Sequence, residues 1–318
     1  MTKEEKTLQA VPVTQVDQVV LMGRGVQLST ALLVDLLGRG IPVTLTNEHG
    51  SRHYATLTAG PSRFGELRSQ QLQLLQRAGP TLDLARGIVQ AKLANQRALL
   101  AASGWPAART ALATIASTRA NSVAARTLDE LRGYEGAGAA AYFGAWRAAL
   151  PAAWGFAGRA YYPPPDPVNA LLSFGYTLAL HDVLTAIQVT GLDPYVGAFH
   201  ALEPGRPSLA LDLLEEFRPA IVDRLVLDLV FGGQLKPQHF ERPAQQREAV
   251  HLNQAGRALF IDRYEALLLS RIVLPNREQT SLRRVILLQA QALARVLRGE
   301  QAHYRGFTPG DPPGDEGR

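Results

Sequence analysis

Cysteine is absent from this 318-residue chain, and its absence excludes disulfide frameworks, thiolate zinc sites, iron–sulfur clusters and any cysteine nucleophile. It suits a reducing compartment. Lysine is scarce as well: Lys3, Lys6, Lys92 and Lys236 are the whole set, so 29 of the 33 basic residues are arginine. An arginine-rich surface serves nucleic-acid contact, while the abundant alanine beside it equally fits the codon bias of a GC-rich genome. No apolar run of about 18 residues lacks a charge, and the opening MTKEEKT is polar. Neither a membrane span nor a signal peptide is therefore expected, and the chain reads as cytoplasmic. Glycine and proline follow no fixed period, which excludes collagen. What is present is a composition 46% hydrophobic and 19% charged, enough for a packed core and too apolar for a wholly disordered chain. The length predicts roughly two domains, and the net charge of +5 permits an anionic partner without requiring one.

The first part reads as strands: Val11-Pro12-Val13, then Gln18 to Met22, then Ile41 to Leu45, and Tyr54 to Thr58 after the turn Glu48-His49-Gly50. β-branched runs bounded by Gly, Asn and Pro are the signal. One helix interrupts them, with Ser29 as its N-cap and Gly38 as its stop. From about Ser62 the apolar period changes to 3.6, with Leu82, Val89, Leu93 and Leu100 marking one face of a long helix. Further helices are predicted over 121–132, 139–149, 168–190, 208–217, 220–231, 256–270 and 280–298. Between two of them, Tyr161 to Pro167 is a rigid connector, because consecutive prolines remove donors. The fold class is thus α+β, a small β-rich N-terminal domain over 1–61 followed by a larger all-helical domain over 62–305. The Gly/Pro-rich tail over 306–318 is expected to be disordered.

Three places carry acids or histidine in a chemically suggestive setting. Tyr134-Glu135-Gly136 puts a carboxylate between an aromatic and a glycine, open to a bulky ligand or simply solvated at a helix end. The stretch Gly136 to Ala141 mimics a dinucleotide fingerprint, but no strand precedes it and no acid follows at the right distance. Gly197-Ala198-Phe199-His200 follows a helix-ending loop. Ser208 to Pro219 carries Asp212, Glu215 and Glu216, and spacings of three and four place Asp212 beside both glutamates on a helix. Like charges so placed repel, which argues for a cation between at least two of them. One imidazole with oxygen ligands suits Mn²⁺ or Mg²⁺ better than a structural zinc, and such an ion supports phosphoryl-transfer chemistry.

In order along the chain, PVTQVDQVVLMGRGVQLSTALLVDLLGRGIPVTLTNEHG, RSQQLQLLQ with LARGIVQAKLANQRALL, YEGAGAAAYF, DPVNALLSFGYTLALHDVLTAIQVTGLDPYVGAFH and SLALDLLEEFRPAIVDRLVL resemble the CRISPR-associated adaptation integrases, the family of the Cas endonuclease numbered one. The resemblance runs from about Val11 to Arg298. It implies a metal-dependent DNA endonuclease and integrase that inserts spacer DNA into CRISPR arrays, works as a homodimer through its N-terminal domain, and binds the small Cas protein numbered two. By the same resemblance the metal ligands fall on Glu135, His200 and Glu215, with Mg²⁺ or Mn²⁺ as the ion. Asp212 matches a neighbouring acid that completes the site or binds a second ion. Arg218 and Arg224 match phosphate clamps, as do Lys92 and Asn95, for which helix packing is the competing role. Only ten residues precede Val11, where family members usually open with extra strands, so a shortened N-terminal sheet is expected. Two other functions stay open: a catalytically silent DNA-binding scaffold of the same fold, and a metal hydrolase of small phosphoesters.

Overall fold

A computed structural model of the chain describes residues 2–3, 6–7, 10–16, 18–23, 25–47, 53–58, 64–160, 163–242, 248–274 and 279–309. The turn at Glu48-His49-Gly50, Tyr161 and Tyr162 of the connector, and the tail beyond residue 309 lie outside them. The chain divides into two compact units, Met1–Arg63 and Phe64–Arg318.

In the first unit a two-residue hairpin, β1 (Thr2–Lys3) with β2 (Lys6–Thr7), precedes a three-stranded sheet ordered β3 (Val19–Met22), β4 (Val43–Thr46), β5 (His53–Leu57). β3 and β4 run parallel, with Val19 opposite Val43 and Met22 opposite Thr46. A parallel pair needs a crossover, and α1 (Thr30–Gly38) supplies it, its N-terminus closed by the Ser29 hydroxyl accepting from Leu32 N at 3.2 Å. Leu36, Ile41 and Val43 form the buried centre, with Val13, Val16, Val19, Leu21, Leu28, Leu33 and Leu57 packed around it. Val11-Pro12-Val13 is not the expected strand. Pro12 has no N–H to offer a ladder, and Val13–Gln15 closes a 3₁₀ turn through Val16 N to Val13 O at 3.2 Å.

The second unit is a helical assembly: α2 (Gly65–Leu75), α3 (Ala78–Ser103), α4 (Ala108–Ser122), α5 (Leu128–Ala149), α6 (Pro167–Thr190), α7 (Ser208–Phe217), α8 (Arg224–Phe231), α9 (Gln254–Leu269) and α10 (Leu282–Leu297). α3 packs against α4, α5 and α7, and α6 packs against α7 and α10. α6 is long and apolar enough to cross a membrane, but 72% of its most apolar window is buried in the protein, which makes it a core helix. Its start is sharp: Asp166 accepts from Asn169 N at 2.9 Å and Pro167 takes the first helical position.

Three expectations are corrected. The helix read over 121–132 is two: α4 stops at Ser122, and α5 begins after Thr127, whose hydroxyl accepts from Glu130 N at 3.1 Å. α5 then runs unbroken through Tyr134-Glu135-Gly136, so Glu135 sits inside a helix rather than at its end. Of the glycines there, Gly138 serves packing, since a Cβ on it would collide with Leu93 of α3, while Gly133 and Gly136 face open space. The helical unit also contains two hairpins, β6 (Phe240–Glu241) with β7 (His251–Leu252) and β8 (Arg271–Val273) with β9 (Gln279–Ser281), whose strands are too short to show an alternating pattern.

Candidate active site

α7 delivers the central side chains. Pro219 cannot donate an N–H back to the carbonyl of Glu215, and the ladder widens at that point into a π-helical turn over Arg218–Asp223. Glu215 lies just before this turn and Arg218 opens it, so both project to the same side. Lys92 of α3 reaches in to pair with Glu215 Oε2 at 2.6 Å and with Glu135 Oε1 of α5. Arg218 Nη1 lies 3.3 Å and His200 Nε2 3.7 Å from Glu215 Oε1. Five of the sequence candidates are thus linked: Lys92 joins Glu135 to Glu215, and His200 and Arg218 adjoin Glu215. Burial works to raise the Glu215 pKa, but the positive charges of Arg218 and Lys92 outweigh it and hold the carboxyl at about 2. Lys92 is the mirror image: burial opposes its charge, yet Glu215 and Glu135 raise its pKa.

Asp212, the neighbouring acid, is engaged by the His200 loop. Its Oδ2 accepts from Ala198 N at 2.6 Å and Phe199 N at 2.9 Å, and its Oδ1 accepts from His200 N at 2.8 Å and pairs with His200 Nδ1 at 2.7 Å. A carboxylate so occupied has little left for an ion. What it does is hold the loop and set the imidazole: Nδ1 carries the proton toward Asp212, which leaves the Nε2 lone pair facing Glu215. Gly197 makes this close approach possible, since a Cβ there would sit 2.7 Å from Asp212 Oδ2. From the other side, buried Gln71 of α2 donates to Asp193 O at 2.9 Å and Val196 O at 2.8 Å, and accepts from Asp193 N at 2.9 Å. Nothing in the local sequence pattern distinguishes Gln71 from the other glutamines of α2.

The third acid, Glu216, turns away from this cluster. It accepts from Tyr304 Oη at 2.9 Å and from Phe307 N at 2.8 Å, and burial pushes its pKa up to about 8 although these hydrogen bonds pull the other way. Asn95, a candidate phosphate clamp, is committed here instead: its Nδ2 donates to Glu216 O at 2.7 Å and Phe307 O at 2.8 Å. Phe307 stacks on Phe217 with ring centroids 5.8 Å apart. Gly306 and Phe307, expected to begin a disordered tail, are therefore packed against α3 and α7. The three acids of α7 thus face three ways: Glu215 the cations, Asp212 the loop and Glu216 the C-terminal segment.

Beside Lys92 and Glu135 opens a cavity of about 370 Å³, lined also by Arg147, Arg159, Arg218 and Tyr176. The Arg218 and Arg159 guanidiniums stand over the Tyr176 ring at 4.8 and 5.5 Å. Tyr176 Oη in turn donates to Asp223 at 2.6 Å, which also accepts from Tyr142 Oη at 2.9 Å. Burial lifts Asp223 to about 6 against the pull of both tyrosines. Positive charge on this wall suits an anionic strand. Arg224 lies outside the cluster, its side chain 57% exposed and 3.8 Å from Asp228.

An imidazole nitrogen with a free lone pair and two carboxylates, one held firmly anionic, form a donor set that fits a divalent ion. Among the described residues, however, no three His, Asp or Glu side chains are gathered closely enough to enclose one. The reason is visible in the geometry, because Lys92 Nζ occupies the space between Glu135 and Glu215.

The family model described as CRISPR associated protein Cas1 matches residues 1–266. The chain belongs to the Cas1 family. A curated Cas1 protein of Thermus thermophilus, named CRISPR-associated endonuclease Cas1 1, is 38% identical over 308 residues, covering 96% of this chain and 92% of the relative. A Cas1 protein of Thermotoga maritima has a solved structure with a TM-score of 0.78 and 28% identity, covering 94% of this chain and 91% of that one. A casposase bound to an integration product gives a TM-score of 0.80 at 21% identity over 94% of this chain and 84% of its own, and so shares the Cas1 fold.

Proposed function

We propose that this Cas1-family chain is a metal-dependent DNA endonuclease and integrase of CRISPR adaptation. The observation that carries the reading is the linkage of Glu135 to Glu215 through Lys92, and of Glu215 to His200, at the edge of an arginine-lined cavity. Glu135, His200 and Glu215 would hold Mg²⁺ or Mn²⁺, which supplies charge neutralisation at a phosphodiester and lowers the pKa of a hydroxyl nucleophile. Asp212 keeps the His200 lone pair directed at the site. Arg218, on the cavity wall, would meet a phosphate oxygen, and exposed Arg224 would meet the DNA backbone. In strand transfer the 3′-hydroxyl oxygen of a short duplex forms a bond to an array phosphorus, and the array strand leaves with a new 3′-hydroxyl. Attack by water on the same phosphorus gives nuclease activity.

The expected setting is the cytoplasm, as a homodimer with the small Cas protein numbered two. The N-terminal unit suits a role in pairing, since Val26 at 50%, Val34 at 64% and Tyr54 at 45% exposure leave apolar surface open to another chain. The test is joining of a labelled 3′-hydroxyl duplex into an array plasmid with Mn²⁺, with chelator, and with His200→Ala. Joining that requires the metal and disappears in the variant supports the integrase. Salt-sensitive DNA binding without joining or nicking under any condition replaces it with the silent scaffold.

A further inference from the structure

Glu135 and Glu215 are supplied by different helices, and Lys92 Nζ is the atom that bridges them. Two carboxylates brought together away from water repel each other unless a positive charge lies between them. Lys92 supplies that charge from a side chain only 9% exposed. It is not sealed in, because the same side chain lines the cavity with Gln96, Tyr176 and Arg218. Its stem has four rotatable bonds, so the ammonium can leave the glutamates for the cavity without a change in the α3 backbone. A divalent ion between the glutamates and an ammonium in the same place exclude each other by like-charge repulsion.

We infer that Lys92 is an exchangeable internal cation: it holds Glu135 and Glu215 together until a divalent ion takes them over, and then turns into the cavity to meet a phosphate oxygen of the DNA strand. The inference rests on reading Glu135, His200 and Glu215 as a metal centre. It gives Lys92 two opposed effects, restraining metal binding and assisting the reaction. A packing residue would favour both steps, and a simple phosphate clamp would leave metal binding untouched.

The experiment is Mn²⁺ binding to the full chain without DNA, followed by the electron paramagnetic resonance signal of the free ion, for the wild type, Lys92→Met, Lys92→Arg and Glu215→Gln. Folding of each variant is checked by circular dichroism. Lys92→Met is expected to bind Mn²⁺ about tenfold more tightly once the competing charge is gone, and to join strands at least about 30-fold more slowly. Lys92→Arg keeps the charge and is expected to bind no more tightly than the wild type. Unchanged or weaker Mn²⁺ binding by folded Lys92→Met overturns the inference. Undiminished Mn²⁺ binding by Glu215→Gln instead overturns the metal-centre reading, whatever Lys92→Met does. Should Lys92→Met fail to fold, a crystal structure of the wild type with Mn²⁺ decides: Nζ more than about 4 Å from both carboxylates upholds the exchange, and Nζ still bridging them beside the ion overturns it.

Discussion

The two sides of α7 put neighbouring glutamates into opposite states. Glu215 and Glu216 are 4% and 0% exposed, and both start from an ordinary value of 4.5, yet one is held at about 2 and the other is raised to about 8. Burial acts on both in the same direction. The difference lies in the company: Arg218 and Lys92 on one side, a tyrosine hydroxyl, a backbone N–H and a glutamine amide on the other. Positive charges compensate a buried anion; neutral donors do so only in part. α7 thus has a charged side directed at chemistry and a neutral side that anchors it.

The sharpest way to break this comparison is to neutralise each glutamate in turn. On the proposed metal-centre reading, Glu215→Gln should lower single-turnover strand transfer by about 10³-fold or more. Glu216→Gln should cost less than about tenfold, since its amide can donate to Tyr304 Oη while its carbonyl accepts from Phe307 N. The next effect is on stability. The folded protein binds the Glu216 proton more tightly than the unfolded chain, so that contribution is complete below pH 4.5 and is lost as pH rises through about 8. For Glu215 the sign reverses: its contribution is complete above pH 4.5 and is lost as pH falls through about 2. Urea unfolding should therefore show the wild type losing roughly 3–5 kcal/mol between pH 4.5 and 8. Glu216→Gln should flatten most of that slope. Asp223, raised to about 6, adds a smaller loss of the same sign and should survive in the variant.

Asp212→Asn should weaken Mn²⁺ binding by about 10–100-fold, because an amide at that position cannot accept both the His200 Nδ1 proton and the loop N–H groups. The checking measurement is a metal titration of the folded variant. Tyr304→Phe, at the small end, removes one donor from Glu216 and should cost about 1–2 kcal/mol in urea unfolding, with little change in strand-transfer rate.

These contrasts also mark where sequence reading succeeds. β3, β4 and α1 with its Ser29 cap were legible because strands and caps are written in adjacent residues. His200 and Glu215 were legible as candidates through their short spacing and the resemblance, and Glu135 through the resemblance, though its place inside α5 was not, since the glycines around it mimic a break. The remaining contacts are written nowhere locally. Gln71 meets Asp193 across 122 positions, Asn95 meets Phe307 across 212, and Lys92 meets Glu135 across 43. For Lys92 the pattern left packing and phosphate contact as alternatives, and neither describes an ammonium seated between two glutamates. For Asp212 likewise, the spacing to Glu215 is visible in the sequence, while the three loop N–H groups that occupy it become visible only once the chain folds.

The anchoring of Glu216 by Tyr304 and Phe307 has a consequence for the newly made protein. Chains emerge N-terminus first, so Lys92, Glu135, His200 and Glu215 all leave the ribosome well before Phe307. Until that last stretch arrives, Glu216 is without the hydroxyl and N–H that accommodate it. A nascent chain can thus hold Lys92, Glu135, His200 and Glu215 before the groups that accommodate Glu216 have been made.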